Sequence, residues 1–413
     1  MTSINNQIIV VGGGAAGMIA AFYASDRCKN VVIIEKNKML GRKLRITGKG
    51  RCNITNAADI SDFFGCIPVN ANFLYSALYS YTNEDIVALL NSLGVATKVE
   101  RGGRVFPLSD NANQVADALA DALRKKKVRV IRDEVVDIVA DDHQVYGVKL
   151  KSGRKLDGKV ILATGGASYP LTGSDGFGFK LAKSLGHNVT ELKPSLVPVE
   201  CDDKWIRDIS GLSLKNVSLT VLRGKQLIYS EQGEMLFTHF GVSGPLVLSA
   251  SSHMRRISPG EYKMYVDLKP ALDEDKLDKR ILRDFEGELN KDICNGLDKL
   301  LPKSLIPVIL DIASIDWRKK INTVTKQERM ELVRVIKSLP VNPVRFRPIA
   351  EAIITSGGIN IKEINPSTME SKIIKDLYFA GEIIDTDAYT GGYNLQIAWS
   401  TGYLAGMNAS DNF

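Results

Sequence analysis

The sequence is short of the residues that build metal centres and disulfide frameworks. Its five cysteines (Cys28, Cys52, Cys66, Cys201 and Cys294) are scattered over 413 residues with no CxxC pair. An odd, sparse set excludes a disulfide scaffold and fits a reducing, cytoplasmic setting. The four histidines (His143, His187, His239 and His253) never fall beside a cysteine at ligand spacing. No zinc or iron–sulfur site is therefore expected, and no residue is assigned to a metal. Excess charge of one sign is small: 54 Lys and Arg against 47 Asp and Glu, a net +7. That favours an anionic ligand such as a phosphate-bearing cofactor, but by itself it does not argue for nucleic acid. A membrane span is not expected either. The long uncharged run IIVVGGGAAGMIAAFYA (8–24) has no basic segment before it and four glycines within it. It reads as a buried strand, a turn and a helix.

What is present is an ordinary globular composition, 44% hydrophobic and 24% charged, in a chain long enough for two or three domains. QIIVV (7–11), a glycine turn, a small-residue helix to about Asp26 and NVVIIEK (30–36) make a βαβ opening. Amphipathic helices are expected over 83–93 and 112–126, then a strand meander, then an apolar parallel strand in KVILATGG (159–166). From about Pro194 the texture changes to β alternation with turn signals, as in VSLTVLRGKQLIYSEQGEMLFTHF, which predicts an antiparallel sheet or small barrel. A helical stretch follows from Asp273 to about Leu339, before AEAIITSGGIN and KIIKDLYFAGEII resume the opening style. The expected fold is α/β: a Rossmann-like domain split into 1–193 and 346–413. Its insert would cover 194–345, with β structure over about 194–270 and helices over about 271–340.

The first motif is Gly12-x-Gly14-x-x-Gly17, placed after a strand and opening a helix. Gly12 allows the tight turn, Gly14 lets a pyrophosphate approach the backbone, and Gly17 permits close helix–strand packing. The anion would rest on the helix N-terminal amides. Glu35 ends the second strand, where a carboxylate can accept both ribose hydroxyls and disfavours a 2′-phosphate. These features fit FAD or NAD. Six residues later comes GRKLRITGKGRCN (41–53), with five cations among its glycines. Arg42, Lys43, Arg45, Lys49 and Arg51 can neutralise pyrophosphate, while Gly41, Gly48 and Gly50 let the backbone lie against a flat ring. Thr47 and Asn53 add neutral hydrogen bonds. Alternatively, the run is a solvated basic loop.

GRKLRITGKGRCNITN resembles the signature of a flavoprotein family that includes aminoacetone oxidase-like and BaiN-like NAD(P)/FAD-dependent oxidoreductases. ILATGGASYPLTGSDGFGFKLAKSLGH (161–187), GEMLFTHFGVSGPLVLS (233–249) and LYFAGEIIDTDAYTGGYNLQIAWSTGYLAG (377–406) agree with it, in order along the whole chain. The resemblance implies a split FAD-binding domain with an inserted β-barrel-like domain and a small helical part. It implies FAD contacts at Gly12, Gly14, Ala15, Ala16, Gly17, Glu35, Lys36, Arg42, Lys43, Thr47, Gly48, Gly50, Arg51 and Asn53. It further implies Val135 near the adenine, and Ala163, Thr164 and Gly165 passing the cofactor. In the C-terminal motif, Gly381 and Glu382 would reach the ribityl chain. Gly392, Asn394 and Leu395 would open a helix whose N-terminus stabilises negative charge on reduced flavin. TGSDGFG (172–178) is read as part of the same FAD domain and not as a second nucleotide site.

Four residues are candidates for proton transfer at the reacting centre. His239 and Thr238 stand in the glycine-rich FTHFGVSGP of the insert, where a structural turn histidine is the plainer reading. Tyr169 and Tyr389 are alternative donors. Cys52 lies among cations that would lower its pKa, yet with no partner cysteine it is read as part of the flavin loop. The family resemblance implies an FAD-dependent oxidoreductase that passes hydride from NADH or NADPH, bound transiently, to a conjugated C=C of a small organic substrate. The alternative is an oxidase of a small amine or amino ketone. An RNA-modifying flavoprotein is the least favoured, because the cations gather in the cofactor loop. The sequence leaves the oligomeric state open.

Overall fold

A computed structural model describes residues 7–254 and 256–411. The chain packs as two units, one joining Met1–Ser195 to Ile349–Phe413 and the other formed by Leu196–Pro348. The first is organised on a five-stranded parallel sheet. Its strands run in the order Leu377–Phe379, Lys159–Leu162, Ile8–Val11, Val31–Ile34 and Arg129–Ile131. Ile8 pairs with both Lys159 and Val31, so the N-terminal strand is central. Its four residues and those of Val31–Ile34 are all buried, as strands covered on both faces must be.

Two helices pack against each other beside this sheet, Ala15–Ala24 and the C-terminal Tyr393–Ala409. Their contact is backbone on backbone. A Cβ added at Gly402 would stand 2.5 Å from the carbonyl oxygen of Ala16, and one at Gly406 would stand 2.3 Å from that of Ala20. The pairing 402 with 16 and 406 with 20 means that the helices run parallel. Nine residues precede Gly402 in the C-terminal helix but only one precedes Ala16 in its partner, so the C-terminal helix projects about 12 Å beyond the start of its partner at 1.5 Å per residue. Around this pair the amphipathic helices Asn83–Ser92 and Ala112–Lys125 form as the sequence predicts. The first carries a reciprocal Thr82–Asp85 capping box, and the second ends in Arg124 and Lys125, which complement the helix dipole.

The second unit contains a seven-stranded antiparallel sheet. The order is Leu339–Val341, Tyr262–Asp267, Ser213–Arg223, Gln226–Thr238, Gly241–Ser243, Val199–Cys201 and Pro343–Phe346. The two strands at opposite ends of this order are separated in sequence by Asn342 alone. One residue spans only a few ångströms, so the sheet curls until its edges meet, which gives the barrel-like form. Helices Glu274–Glu286, Ile306–Ile312 and Lys326–Lys337 pack with it around a core that includes Val221, Phe237, Met264, Ile281 and Leu332, all fully buried. Among the described residues no helix is long and apolar enough to cross a membrane.

The parallel helix contact admits a direct test. Gly406→Val should destabilise the protein by about 2–3 kcal/mol, because backbone and not a flexible side chain opposes the new atoms. Thermal unfolding followed by circular dichroism reads this, and an unchanged melting temperature would refute the contact.

Candidate functional site

The glycine turn after the first strand divides its glycines by job. Gly12 has φ +102, and a Cβ there would stand 2.5 Å from the Ala163 carbonyl oxygen; at Gly17 it would stand 1.9 Å from that of Gly12. Both glycines serve packing. Around Gly14 nothing lies within 4 Å of such an atom, so the backbone there is open to a ligand. Ala15, Ala16 and Gly17 begin a helix with no side-chain cap and no acidic residue in its first turn. Its free amides form an anion-binding end. Glu35, 8% exposed, secures this turn. Oε2 accepts from the Gly13 N–H at 2.7 Å, and Oε1 accepts from the backbone and side-chain N–H groups of Asn37, each at 2.7 Å.

Next to Glu35, Lys36 pairs with Asp175 at 2.7 Å, and Asn37 donates to the Thr172 carbonyl at 3.0 Å. TGSDGFG is thereby seated against the end of the strand Val31–Ile34. The basic loop itself folds as tight turns over Leu44–Gly50. Most of its cations are engaged within the protein. Arg42 donates to Asn37 Oδ1 (2.9 Å), Arg45 pairs with Asp117 (2.6 Å), and Arg51 pairs with Glu100 and Asp110 while lying 4.1 Å above the Phe106 ring. Lys49 is exposed and makes no ion pair among the described residues. Thr47 Oγ1 donates to the Leu44 carbonyl at 2.7 Å, and Gly50, like Gly14, has open space beside it. Val135 is buried at the start of the strand Val135–Ala140.

Lys43 reaches furthest along the chain. Its Nζ donates to Ser168 Oγ (2.6 Å) and to Glu382 Oε2 (2.7 Å). Glu382 Oε1 accepts in turn from Ser168 Oγ (2.9 Å) and the Thr355 N–H (2.8 Å). This network joins the basic loop, the ATGGAS turn and the YFAGE strand end. Gly381, one residue earlier, donates its N–H to Thr401 Oγ1 at 2.9 Å. The loop that follows is stapled by Asn394, which accepts from the Ala388 N–H (2.9 Å) and donates to the Ala388 carbonyl (2.6 Å). Gly392 has φ +102, and a Cβ on it would stand 2.3 Å from the Thr55 carbonyl oxygen, so no other residue fits. With its amide nitrogen donating to Thr55 O (3.1 Å) and Val105 O (3.2 Å), Asn53 accepts from the Gly392 N–H at 3.0 Å. Gly392, Asn394 and half-buried Leu395 thus begin a second helix with no side-chain cap and no acid in its first turn.

The residues between these helix ends fit a bound dinucleotide. Ala163 donates its N–H to the Val11 carbonyl (2.9 Å) and is followed by Thr164 and by Gly165. The hydroxyls of Thr164, Ser174 and Thr386 are buried and have no hydrogen-bond partner among the described residues. Buried hydroxyls are rarely left so, and these occur in the ATGG turn, the TGSDGFG element and the C-terminal loop, the segments that border the expected cofactor.

Of the proton-transfer candidates, Tyr169 and Tyr389 belong to the first unit and Thr238 and His239 to the second. Tyr169 is 37% exposed in a left-handed conformation, and Tyr389 is half-buried with its phenol pKa raised by burial. His239 is exposed in a two-residue hairpin turn, edge-on to Phe240 at 5.0 Å, and Thr238 Oγ1 donates to the Gly241 carbonyl at 3.0 Å. The expectation that neighbouring cations lower the Cys52 pKa is overturned. The thiol is fully buried, and burial pushes its pKa up to about 12, offset only in part by a hydrogen bond with Thr47. Sequence reasoning missed Ser168, Thr355 and Asp387. The last is 2% exposed and accepts from Ser195 Oγ (2.7 Å) and Ser356 Oγ (2.9 Å). The position of Ser168 within ATGGAS was the available signal; for Thr355 and Asp387 there was none. Among the described residues no group of three or more His, Cys, Asp or Glu could hold a metal ion.

Comparison with known proteins gives the following likenesses. The family model described as HI0933-like protein Rossmann domain matches residues 6–408. The chain is 32% identical to the 3-dehydro-bile acid delta(4,6)-reductase of Clostridium scindens, over 98% of this chain and 99% of that protein. It is 31% identical to the ribosomal RNA dihydrouridine synthase of Escherichia coli, over 97% of each. Among solved structures, the 3-ketosteroid delta1-dehydrogenase from Sterolibacterium denitrificans shares the fold, with TM-score 0.55 and 15% identity, covering 98% of this chain and 99% of that one.

The Glu35 carboxylate has a measurable task. Glu35→Ala should yield protein with little bound flavin, since it removes the expected ribose acceptor and leaves the Gly13 N–H unpaired. The visible spectrum after purification reports it, and full flavin occupancy in this variant would exclude the assignment.

Proposed function

We propose, from the premise that the chain belongs to the HI0933-like Rossmann-domain family and is an FAD-dependent oxidoreductase, that it adds hydrogen across a C=C bond conjugated to a carbonyl in a small organic substrate. The observation that carries this reading is chemical agreement between relatives matched over nearly the whole chain. One is named a delta(4,6)-reductase of a 3-dehydro-bile acid, the other a synthase of dihydrouridine. Both products arise by saturation of a ring double bond activated by a carbonyl. FAD, held by the Ala15–Gly17 amides and Glu35, would supply the hydride-transfer chemistry that such a saturation needs, with a nicotinamide as the proposed reductant.

The protein's part is to bind, orient and supply a proton. The amides at Ala15–Gly17 hold the pyrophosphate, as the uncapped helix end and the open space at Gly14 support, and Glu35 takes the ribose with the lone pairs that Gly13 and Asn37 leave. The uncapped N-terminus at Gly392–Leu395 stabilises negative charge on the ring edge of the cofactor. Lys43, Ser168 and Glu382 fix the backbone between them. The substrate α-carbon then needs a proton, and His239, Tyr389 and Tyr169 are the candidate donors. A second reading, reduction of a uracil ring within RNA, is favoured by the synthase relative at nearly the same identity and coverage.

Anaerobic addition of NADH to the flavin-loaded protein should bleach its visible spectrum, and a 3-oxo-Δ4 steroid acid should restore it. Restoration by unmodified ribosomal RNA, with dihydrouridine found in the digest, would replace the first reading with the second. A spectrum that NADH leaves oxidised, but that a small amine bleaches, would refute both and indicate an oxidase. His239→Ala should retain flavin yet lose about 100-fold or more in turnover if His239 is the donor. Unchanged turnover would pass that role to Tyr389 or Tyr169.

A further inference from the structure

The chain holds three tryptophans. Trp399 is fully buried and donates its indole N–H to the Ile54 carbonyl, a core role. The other two line one groove. Trp205 and Trp317 border a cavity of about 510 Å³ in the inserted unit, together with Val308, Asp208, Asp311 and Asp316. Trp205 is anchored edge-on against Phe237 at 5.7 Å. Trp317 is 51% exposed, which is unusual for the largest apolar side chain.

The charge of this groove runs against its surroundings. The unit Leu196–Pro348 carries 25 Lys and Arg against 21 Asp and Glu, yet no Lys or Arg lines the cavity. Asp208 and Asp311 are exposed and form no ion pair among the described residues, and Asp316 Oδ1 accepts only the Arg318 N–H, at 3.0 Å. Three cations neighbour groove residues. Lys204 precedes Trp205 and Arg207 precedes Asp208 in the chain, and Arg318 lays its guanidinium 4.6 Å from the centre of the Trp317 ring. None forms an ion pair with these three carboxylates among the described residues. The Arg318 stacking shows that this indole accepts a cation on its face. Three carboxylates left without cations, around an apolar floor and two indoles, complement a ligand that alternates positive charges with methylenes.

We propose that the groove between Trp205 and Trp317 binds a linear aliphatic polyamine, its ammonium groups placed at Asp208, Asp311 and Asp316 and its methylene stem across the indoles. The volume suits a small ligand. Ammonium over an indole and beside a carboxylate gains from both contacts, and methylenes cover surface that a metal cation would leave wet. Nothing in this site depends on the redox reading of the other unit.

The test uses the flavin-loaded full-length protein and its own reporter. Spermidine titrated in low-salt buffer should change tryptophan emission saturably, with affinity falling as sodium chloride is raised. Asp208→Asn/Asp311→Asn, which keeps both indoles, should weaken binding about tenfold while flavin content and melting temperature stay unchanged. An equal response to Mg²⁺ at matched ionic strength would reduce the groove to a counter-ion site and overturn the proposal. So would a response that the double variant leaves intact, the absence of any saturable response, or binding of tetralysine in place of spermidine.

Discussion

Everything in the first unit depends on how closely two helices approach. Ala15–Ala24 and Tyr393–Ala409 meet at residues without side chains long enough to separate them, so carbonyls of one lie where a Cβ of the other would have to go. This contact links the beginning of the chain to its end. Because the helices are parallel and offset, two uncapped N-termini face the same way, about 12 Å apart along the axis. One positive end suits a pyrophosphate and the other a ring that becomes anionic when reduced. A dinucleotide with a long body is what such spacing accommodates, and the offset follows from glycine placement alone.

Local chemistry was the legible part of the sequence. The roles of Gly12, Gly14 and Gly17 follow from spacing: Gly17 meets the Gly12 carbonyl and the backbone is open at Gly14, although the Ala163 carbonyl that crowds Gly12 comes from far along the chain. The split architecture was readable too, from the return of strand-and-glycine texture after a long insert. The partners of the basic loop were not. Arg45 meets Asp117 from 72 residues away, Arg51 meets Glu100 and Asp110, and Lys43 meets Glu382 across 339 residues. Cys52 failed for the same reason in reverse. Its cationic neighbours are sequence neighbours, while burial, which decides its pKa, comes from the folded chain. His239 and Thr238 sit in a turn whose shape was foreseeable, but a turn does not say what faces it.

The insert explains how one scaffold can carry relatives with different substrates. The FAD-binding parts are distributed over both ends of the chain, each tied to the other by backbone contacts or by the Lys43–Ser168–Glu382 network. Few of those positions can change without loss of the cradle. The unit Leu196–Pro348 has its own core and its own curled sheet. On the proposed reading, the first unit would hold the cofactor, and the second could change its surface without touching the Lys43–Ser168–Glu382 network.

The C-terminal loop shows how the positive helix end is kept positive. Three carboxylates, Glu382, Asp385 and Asp387, crowd the six residues 382–387, within ten residues of Gly392. Left free, they would cancel the partial charge of the helix end, which amounts to about half an elementary charge. Each is diverted. Glu382 is neutralised by Lys43 at 2.7 Å. Asp387 is turned onto the hydroxyls of Ser195 and Ser356, and burial, opposed by those two hydrogen bonds, raises its pKa. Asp385 is likewise raised by burial, against hydrogen bonds to Thr190 and Asn70. Each carboxyl near this helix end is thus paired with a cation, hydrogen-bonded to hydroxyls, or pushed by burial toward its neutral form, and the helix end keeps its partial positive charge.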